Sequence, residues 1–437
     1  MERKVAEILK KWKKSNHRLP LLLHGARQVG KTYTLLHFGK LQFENVVYLN
    51  FENNPALQDI FAGEITPKQL LPKLQLIANQ SILEENTLLF FDEIQSCERA
   101  LTALKYFAEQ APKYAVVAAG SLLGVAVNRE QYSFPVGKVQ IEHLYPMDFE
   151  EFLWAMGKKG AVKIIKDCFT NKKKCDLHTH FLELFKQYIA LGGMPQVVNE
   201  YIENRDFDFI VSLQKNILDS YIADMAKYAT PMETVKIMAT YNSIPSQLAK
   251  ENRKFQYKLI KSGARANVYE GPLDWLKSSG LIVKVHKCNP PEIPLIAFSS
   301  PDFFKVYLSD TGLLCSKLGL NNQNILIQPF DLAGIKGAIA ENYVATALKT
   351  NGFDPYYWES EGKAEVDFII QDKQGNIIPI EVKSSENVRA KSLTQYTMRY
   401  QPKLAYKVST KNFGFEGVVY SIPLYAVFCI GVENELR

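Results

Sequence analysis

The amino-acid sequence predicts an α/β protein: a parallel sheet with helices on both faces, then a helical lid, a winged helix and a C-terminal α/β domain. Three observations carry the prediction. Short apolar runs alternate with helix-period segments through the first third, the pattern of buried parallel strands joined by crossover helices. Between one such run and one such helix lies Gly25 to Thr32, GARQVGKT, which fills the G-x-x-x-x-G-K-[ST] pattern of a phosphate-binding loop. A later run, Thr87 to Phe91 (TLLFF), passes directly into Asp92 and Glu93. At 437 residues the chain is too long for one ordinary core, and its composition, 47% apolar and 22% charged, is globular.

Taken in order, Pro20 to Leu23 suits a buried strand, and Tyr33, Leu35, Leu36 and Phe38 suit a helix packed back on the sheet. In that setting the backbone N–H groups of Gly25, Ala26, Arg27, Gln28, Val29 and Gly30 face a phosphate chain, and the two glycines permit close approach. Lys31 would reach the terminal phosphates of ATP, and the Thr32 hydroxyl would ligate Mg²⁺. A plain glycine turn before a surface helix is the competing account. Asn45 to Phe51 reads as a second strand and Thr87 to Phe91 as a third. At the tip of the third, Asp92 can hold Mg²⁺ and Glu93 can polarise the attacking water; helix caps or plain surface charge are the alternatives. Tyr114 to Ala119 is a fourth strand leading into Gly120 and Ser121, where a small polar side chain could touch the γ-phosphate or simply end the strand. Val139 to Leu144 closes the sheet. Ligands of such sheets bind at the carboxyl ends of the strands.

GARQVGKT, LLFFDEIQ, VVAAGSLLG and the later YPMDFEEFL and LGGMP together resemble a large prokaryotic family of AAA-type ATPases known as "ATP-binding proteins". The resemblance covers nearly the whole chain. It implies the magnesium role for Asp92, the catalytic base for Glu93 and a sensor for Ser121. One departure concerns catalysis in trans. Where that family usually carries P-G-R, this chain has Pro135, Val136, Gly137 and Lys138, and lysine lacks the planar fork of an arginine finger, which leaves Arg129 or another arginine to serve.

From Phe149 to Tyr228 the apolar spacing is helical, broken at Gly192, Gly193 and Pro195. Cys175, Asp176, His178 and His180 lie close enough for a metal, with a polar loop as the competing account. Thr234 to Tyr241, Ser246 to Ala249 and Val268 to Ser279 read as three short helices, and LIVKVHK and FFKVYLSD as the two strands of a wing. Basic residues from Arg253 to Arg265 favour DNA there, with protein docking as the alternative. In the last third, Glu341 shares a helix face with Val344 and Leu348, Glu365 and Asp367 lie on one face of the strand Ala364 to Ile370, and Glu381 and Lys383 on one face of Ile377 to Lys383.

Helix glutamate, strand aspartate and E-x-K resemble the PD-(D/E)XK restriction-endonuclease-like site, found at this C-terminal position in the same ATPase family. That resemblance implies Mg²⁺ held by Asp367 and Glu381, assisted by Glu341, with Lys383 orienting the water. The later Q-x-x-x-Y helix is only partly matched, by Gln395 with Arg399 and Tyr400. Exposed alternating charge and a folded, non-cleaving relic are the alternatives.

The expected division is therefore 1–148 for the ATPase domain, 149–230 for the lid, 231–320 for the winged helix and 331–437 for the endonuclease-like domain. The expected function is Mg²⁺-dependent ATP hydrolysis coupled to a nuclease-like domain acting on DNA. An ATP-dependent switch or assembly ATPase, acting as a homo-oligomer, is the alternative. A formal net charge of +6, concentrated in lysine clusters, suits either a phosphate backbone or solvated helix faces. Six scattered cysteines without a C-x-x-C pair, no signal peptide and no membrane span point to a cytoplasmic protein.

Overall fold

The computed structural model describes residues 1–121, 134–320, 335–361, 364–383 and 391–431. Two compact units emerge: Glu2–Tyr145 with Ser278–Gly280, and Met1 with Pro146–Lys277 and Leu281–Arg437.

In the first unit five parallel strands lie in the order β2-β3-β4-β1-β5: β1 Leu21–His24, β2 Asn45–Asn50, β3 Thr87–Asp92, β4 Ala115–Gly120 and β5 Gln140–His143. Central strands β1, β3 and β4 are buried along their whole length, which is why they read as unbroken apolar runs, while β5 keeps polar residues at an edge. All five fall within a residue or two of expectation. Pro20 stays outside β1 because it has no N–H to give, yet its carbonyl accepts from Gln140 N–H at 2.9 Å. One face of the sheet is packed by Phe51, Phe61, Phe91 and Phe107, edge to face with centroids 5.4 to 6.2 Å apart.

The second unit begins with the expected helices, Phe149–Ala155, Lys159–Thr170, His178–Leu191, Pro195–Glu203 and Phe207–Tyr228. The Gly192–Gly193 break is fastened by Asp310, whose carboxylate accepts from Gly193 N–H at 2.6 Å and Leu313 N–H at 2.8 Å; burial pushes this carboxyl up to about 6. A Cβ on Gly193 would stand 1.9 Å from the Met147 carbonyl oxygen, so no other residue fits. Among the described residues Cys175 and its neighbours are not grouped to hold a metal: His178 contacts Tyr425 hydroxyl at 3.0 Å through Nδ1 and the Thr410 carbonyl at 3.1 Å through Nε2.

A correction concerns the next segment. The helices expected at Thr234–Tyr241 and Ser246–Ala249 are one helix, Pro231–Leu248, running through Pro245. Proline forfeits only one bond this near the C-terminal end, and buried Ile244, Gln247 and Leu248 hold the last turns. Gln247 then clamps the following loop, its amide bonding both the carbonyl and the N–H of Gln256 at 2.9 Å. After the helix Ala266–Ser278, β6 (Ile282–Cys288) and β7 (Ser299–Leu308) form the expected antiparallel hairpin. They also share one eight-stranded sheet with β8 Tyr356–Glu359, β9 Glu365–Gln371, β10 Ile377–Val382, β11 Ala405–Ser409, β12 Gly414–Glu416 and β13 Val419–Pro423, in the order β12-β13-β11-β10-β9-β8-β6-β7. Parallel pairing of β8 covers the β6 edge, which a free wing would leave open. Helices Ile335–Thr350 and Lys391–Tyr400 complete the unit, with Tyr396 and Tyr400 edge-on to Trp358. No described helix is long and apolar enough to cross a membrane.

Candidate nucleotide site

Between β1 and the helix Lys31–Gln42 the chain makes the tight loop the motif demands. Gly25 tolerates no side chain, since a Cβ would stand 2.1 Å from the Leu144 carbonyl oxygen. Gln28 and Gly30 take positive φ, 65° and 93°, which turns successive N–H groups toward one concave face at a helix N-terminus. Lys31 is buried, its ammonium donating to the carbonyls of Gly25 at 3.0 Å and Ala26 at 2.8 Å. The remaining loop members are placed from outside: Arg27 pairs with Glu52 at 3.7 Å, and the Val29 carbonyl accepts from Arg3.

Strand order puts β4 between β1 and β3, so the acids of β3 stand one strand away from the loop. The gap is bridged by side chains. Thr32 Oγ1 donates to Asp92 Oδ2 at 2.9 Å, and the Tyr48 hydroxyl donates to the same oxygen at 2.9 Å. Burial pushes Tyr48 up to about 12, so it remains a donor. Glu93 N–H donates to Asp92 Oδ1 at 3.1 Å. A hydroxyl and a carboxylate converging on one point are what Mg²⁺ shares with a nucleotide's phosphates, so Thr32 and Asp92 fit the ion. Glu93 sits at φ 49° and is raised by burial above the usual glutamate range, although Gln95 Nε2 donates to its Oε2 at 2.5 Å. Ser121 is buried directly after β4, whose last residue, Gly120, pairs with His24 at the entrance to the loop.

Four residues at this site escaped sequence reasoning. Buried Arg3 donates through Nη1 to the Val29 carbonyl at 2.8 Å and through Nη2 to the Tyr145 carbonyl at 2.6 Å. His24 faces His143, Nδ1 to Nδ1 at 3.3 Å, and burial, then His143, pull it down to about 4, so it is neutral at physiological pH. Tyr48 and Gln95 are the other two. Only Tyr48 left a signal, a polar residue in a strand that neighbours the acidic one. Lys138, in the place of a finger arginine, pairs with Glu109 at 3.0 Å, and Arg129 lies outside the described residues.

The second unit does bring Glu341, Asp367, Glu381 and Lys383 onto adjoining elements, all of them largely buried. Their partners are the chain's own. Glu341 Oε1 is bonded by Arg253; its Oε2 accepts from the Tyr307 hydroxyl at 3.1 Å and lies 3.7 Å from Lys305 Nζ. Asp367 Oδ2 accepts from Val382 N–H at 2.8 Å, and Glu381 Oε1 is 2.5 Å from Lys383 Nζ. Crowding of buried carboxylates raises Asp367 and Glu381, burial being the largest cause for both. Outward from these, Lys305 pairs with Glu365 at 2.5 Å, Lys254 with Glu359, and Lys287 with Glu359 at 3.0 Å. Among the described residues no group of three or more His, Cys, Asp or Glu side chains is arranged to hold a metal ion. The trio implied by the nuclease resemblance therefore does not fit Mg²⁺ as it stands. Two of the basic residues expected for DNA, Arg253 and Lys254, are the ones engaged here, whereas Lys258, Lys261 and Arg265 are exposed.

Residues 17–153 match the AAA domain family. Residues 182–324 and 336–427 match two domains of unknown function, DUF8612 and DUF4143. No curated protein matches the chain. Among solved structures, the Aeropyrum pernix ORC1 protein in complex with DNA is 12% identical over 72% of this chain and 90% of its own, with a TM-score of 0.30. The RuvB Holliday junction branch migration motor of Thermotoga maritima is 16% identical over 67% and 88%, at 0.29, and the Aeropyrum pernix ORC2 protein 13% over 74% and 92%, at 0.34. The first unit thus pairs a match to the AAA domain over residues 17–153 with an α/β fold built on a five-stranded parallel sheet.

Proposed function

We propose that the chain binds ATP with Mg²⁺ and hydrolyses it in the first unit, and that this activity governs a second unit that engages DNA. The observation that carries the reading is the Thr32–Asp92 contact at 2.9 Å beside the buried Lys31. Backbone N–H groups of Gly25, Ala26, Arg27, Gln28, Val29 and Gly30 would receive the phosphates. Lys31 would exchange its two carbonyl partners for phosphate oxygens, a charge-assisted bond in place of neutral ones. Mg²⁺ held by Thr32 and Asp92 would neutralise charge on the transferred phosphoryl group. Glu93, half-buried and raised, is suited to draw a proton from the attacking water, and Ser121 to register the γ-phosphate. The test is a pair of variants. Lys31→Ala should abolish nucleotide binding; Glu93→Gln should keep binding and lose turnover by about 10²- to 10⁴-fold. Hydrolysis retained by Glu93→Gln removes that residue from its role.

For the second unit, the reading as a nuclease-like site acting on DNA rests on the residue pattern of Glu341, Asp367, Glu381 and Lys383 alone. One observation favours the alternative, a switch or assembly ATPase whose C-terminal domain binds without cutting: Glu341 is saturated by Arg253, Tyr307 and Lys305. Incubation of the ATP- and Mg²⁺-loaded protein with duplex, branched and single-stranded DNA separates the two. Cleavage lost on Asp367→Asn would restore the nuclease reading.

A further inference from the structure

Among the described residues Lys305 is the most deeply buried lysine of the second unit, 1% exposed, and the nuclease resemblance has no use for it. It projects from β7, a strand outside the motif, into the space between Glu341 on its helix and Glu365 on β9, with Nζ 2.5 Å from Glu365 Oε1 and 3.7 Å from Glu341 Oε2. Its ammonium also lies 5.2 Å from the centroid of the Tyr357 ring. Withdrawing an ammonium from water costs several kcal/mol unless carboxylates meet it, and withdrawing carboxylates costs as much unless a cation meets them. Each side of this cluster answers the other's cost. Crowded acids of this kind are otherwise held together by a divalent ion, with oxygens about 2.0 to 2.6 Å from it.

Resting on the non-cleaving reading of the second unit, we infer that Lys305 is the resident cation of the carboxylate cluster and takes the place of a divalent metal ion. Arg253 completes the substitution at the other oxygen of Glu341. The charge that a metal would bring is already covalently attached to the chain. Both oxygens of Glu341 are then engaged by groups of the chain, so an ion would find only Asp367 and Glu381 where the resemblance implies three acids. The second unit holds its acids in every metal condition, and the chain's requirement for Mg²⁺ falls on the ATP site alone.

Removing the lysine charge should therefore create a metal site. The measurement is Mn²⁺ binding by electron paramagnetic resonance on the full chain without nucleotide, with thermal melts in parallel. Wild type should bind no ion that Asp367→Asn or Glu381→Gln abolishes, and any dependence of its melting temperature on Mn²⁺ should survive both substitutions. Lys305→Met should gain one ion per chain, lost again in Lys305→Met with Glu365→Gln. Its melting temperature should rise by about 5 °C or more at a hundredfold excess over the Kd. An ion in the wild type that depends on Asp367 or Glu381 overturns the assignment, as does a folded Lys305→Met that gains none. Should Lys305→Met fail to fold with or without Mn²⁺, the wild-type measurement decides alone. In the wild type, an ion that depends on Asp367 or Glu381 without DNA cleavage would sink the role of Lys305 and leave the non-cleaving reading standing; cleavage would sink that reading itself.

Discussion

Two carboxylates, Asp92 in the first unit and Glu341 in the second, occupy comparable places, each almost fully buried and accepting from a tyrosine hydroxyl. Their recorded partners differ. Asp92 accepts from the hydroxyls of Thr32 and Tyr48 and from the Glu93 amide, and the Lys31 ammonium donates to the carbonyls of Gly25 and Ala26. Glu341 meets Arg253 and Lys305 as ion pairs. A buried carboxylate bonded by hydroxyls that a ligand can displace stays open to an arriving cation, while one paired with both an arginine and a lysine has been neutralised in advance. The comparison teaches that motif residues alone do not define a metal site: the residues opposite them decide whether charge is left over.

The largest test sets the two acids against each other. Glu341→Ala strands Arg253 and Lys305 and should destabilise the second unit by about 3 to 5 kcal/mol, read from denaturant unfolding, with ATP turnover per folded molecule retained. Asp92→Asn should do the reverse, abolishing Mg²⁺-dependent turnover while leaving unfolding within about 1 kcal/mol of wild type. Equal stability losses at both would erase the distinction.

A smaller effect concerns pH. A base must be ionised to act, and burial raises Glu93, so the acid limb of the turnover profile should lie above the usual glutamate range near about 4.3. Gln95→Ala removes a donor that favours the charged form; the limb should then move further up, lowering turnover at acidic pH about two- to tenfold with little change at alkaline pH. A limb that moves down would mean Gln95 does not support the carboxylate. Smallest of all, Tyr48→Phe deletes one hydroxyl from Asp92, and the Mg²⁺ concentration for half-maximal turnover should change by less than about tenfold.

Much of the first unit was legible because its signals are local. A phosphate loop needs glycine where φ is positive or backbone approaches closely, and Gly25 and Gly30 stand at those positions. Buried parallel strands must be apolar along their length, so LLLH, TLLFFD and AVVAAG announced themselves. Arg3 did not, because its partners at Val29 and Tyr145 are 26 and 142 residues away and nothing in MERKVAE marks one basic residue as buried. In the second unit, two helices were expected on either side of Pro245, but the packing of Ile244 and Leu248 outweighed the one lost bond and the helix runs through it. The hairpin β6–β7 looked like a separate wing because parallel pairing with β8 joins residues about seventy positions apart in the chain.

By itself the sequence determined the phosphate loop, the acidic tip of β3 and the presence of Glu341, Asp367, Glu381 and Lys383 on a helix and a strand pair. Each follows from backbone conformation or from a periodicity of about two or 3.6, which neighbouring residues enforce. Only the tertiary structure decided that Thr32 and Tyr48 would meet Asp92, and that Arg253 and Lys305 would meet Glu341. The energy of a buried charge is set by what lies within a few ångströms, and those neighbours arrive from distant parts of the chain.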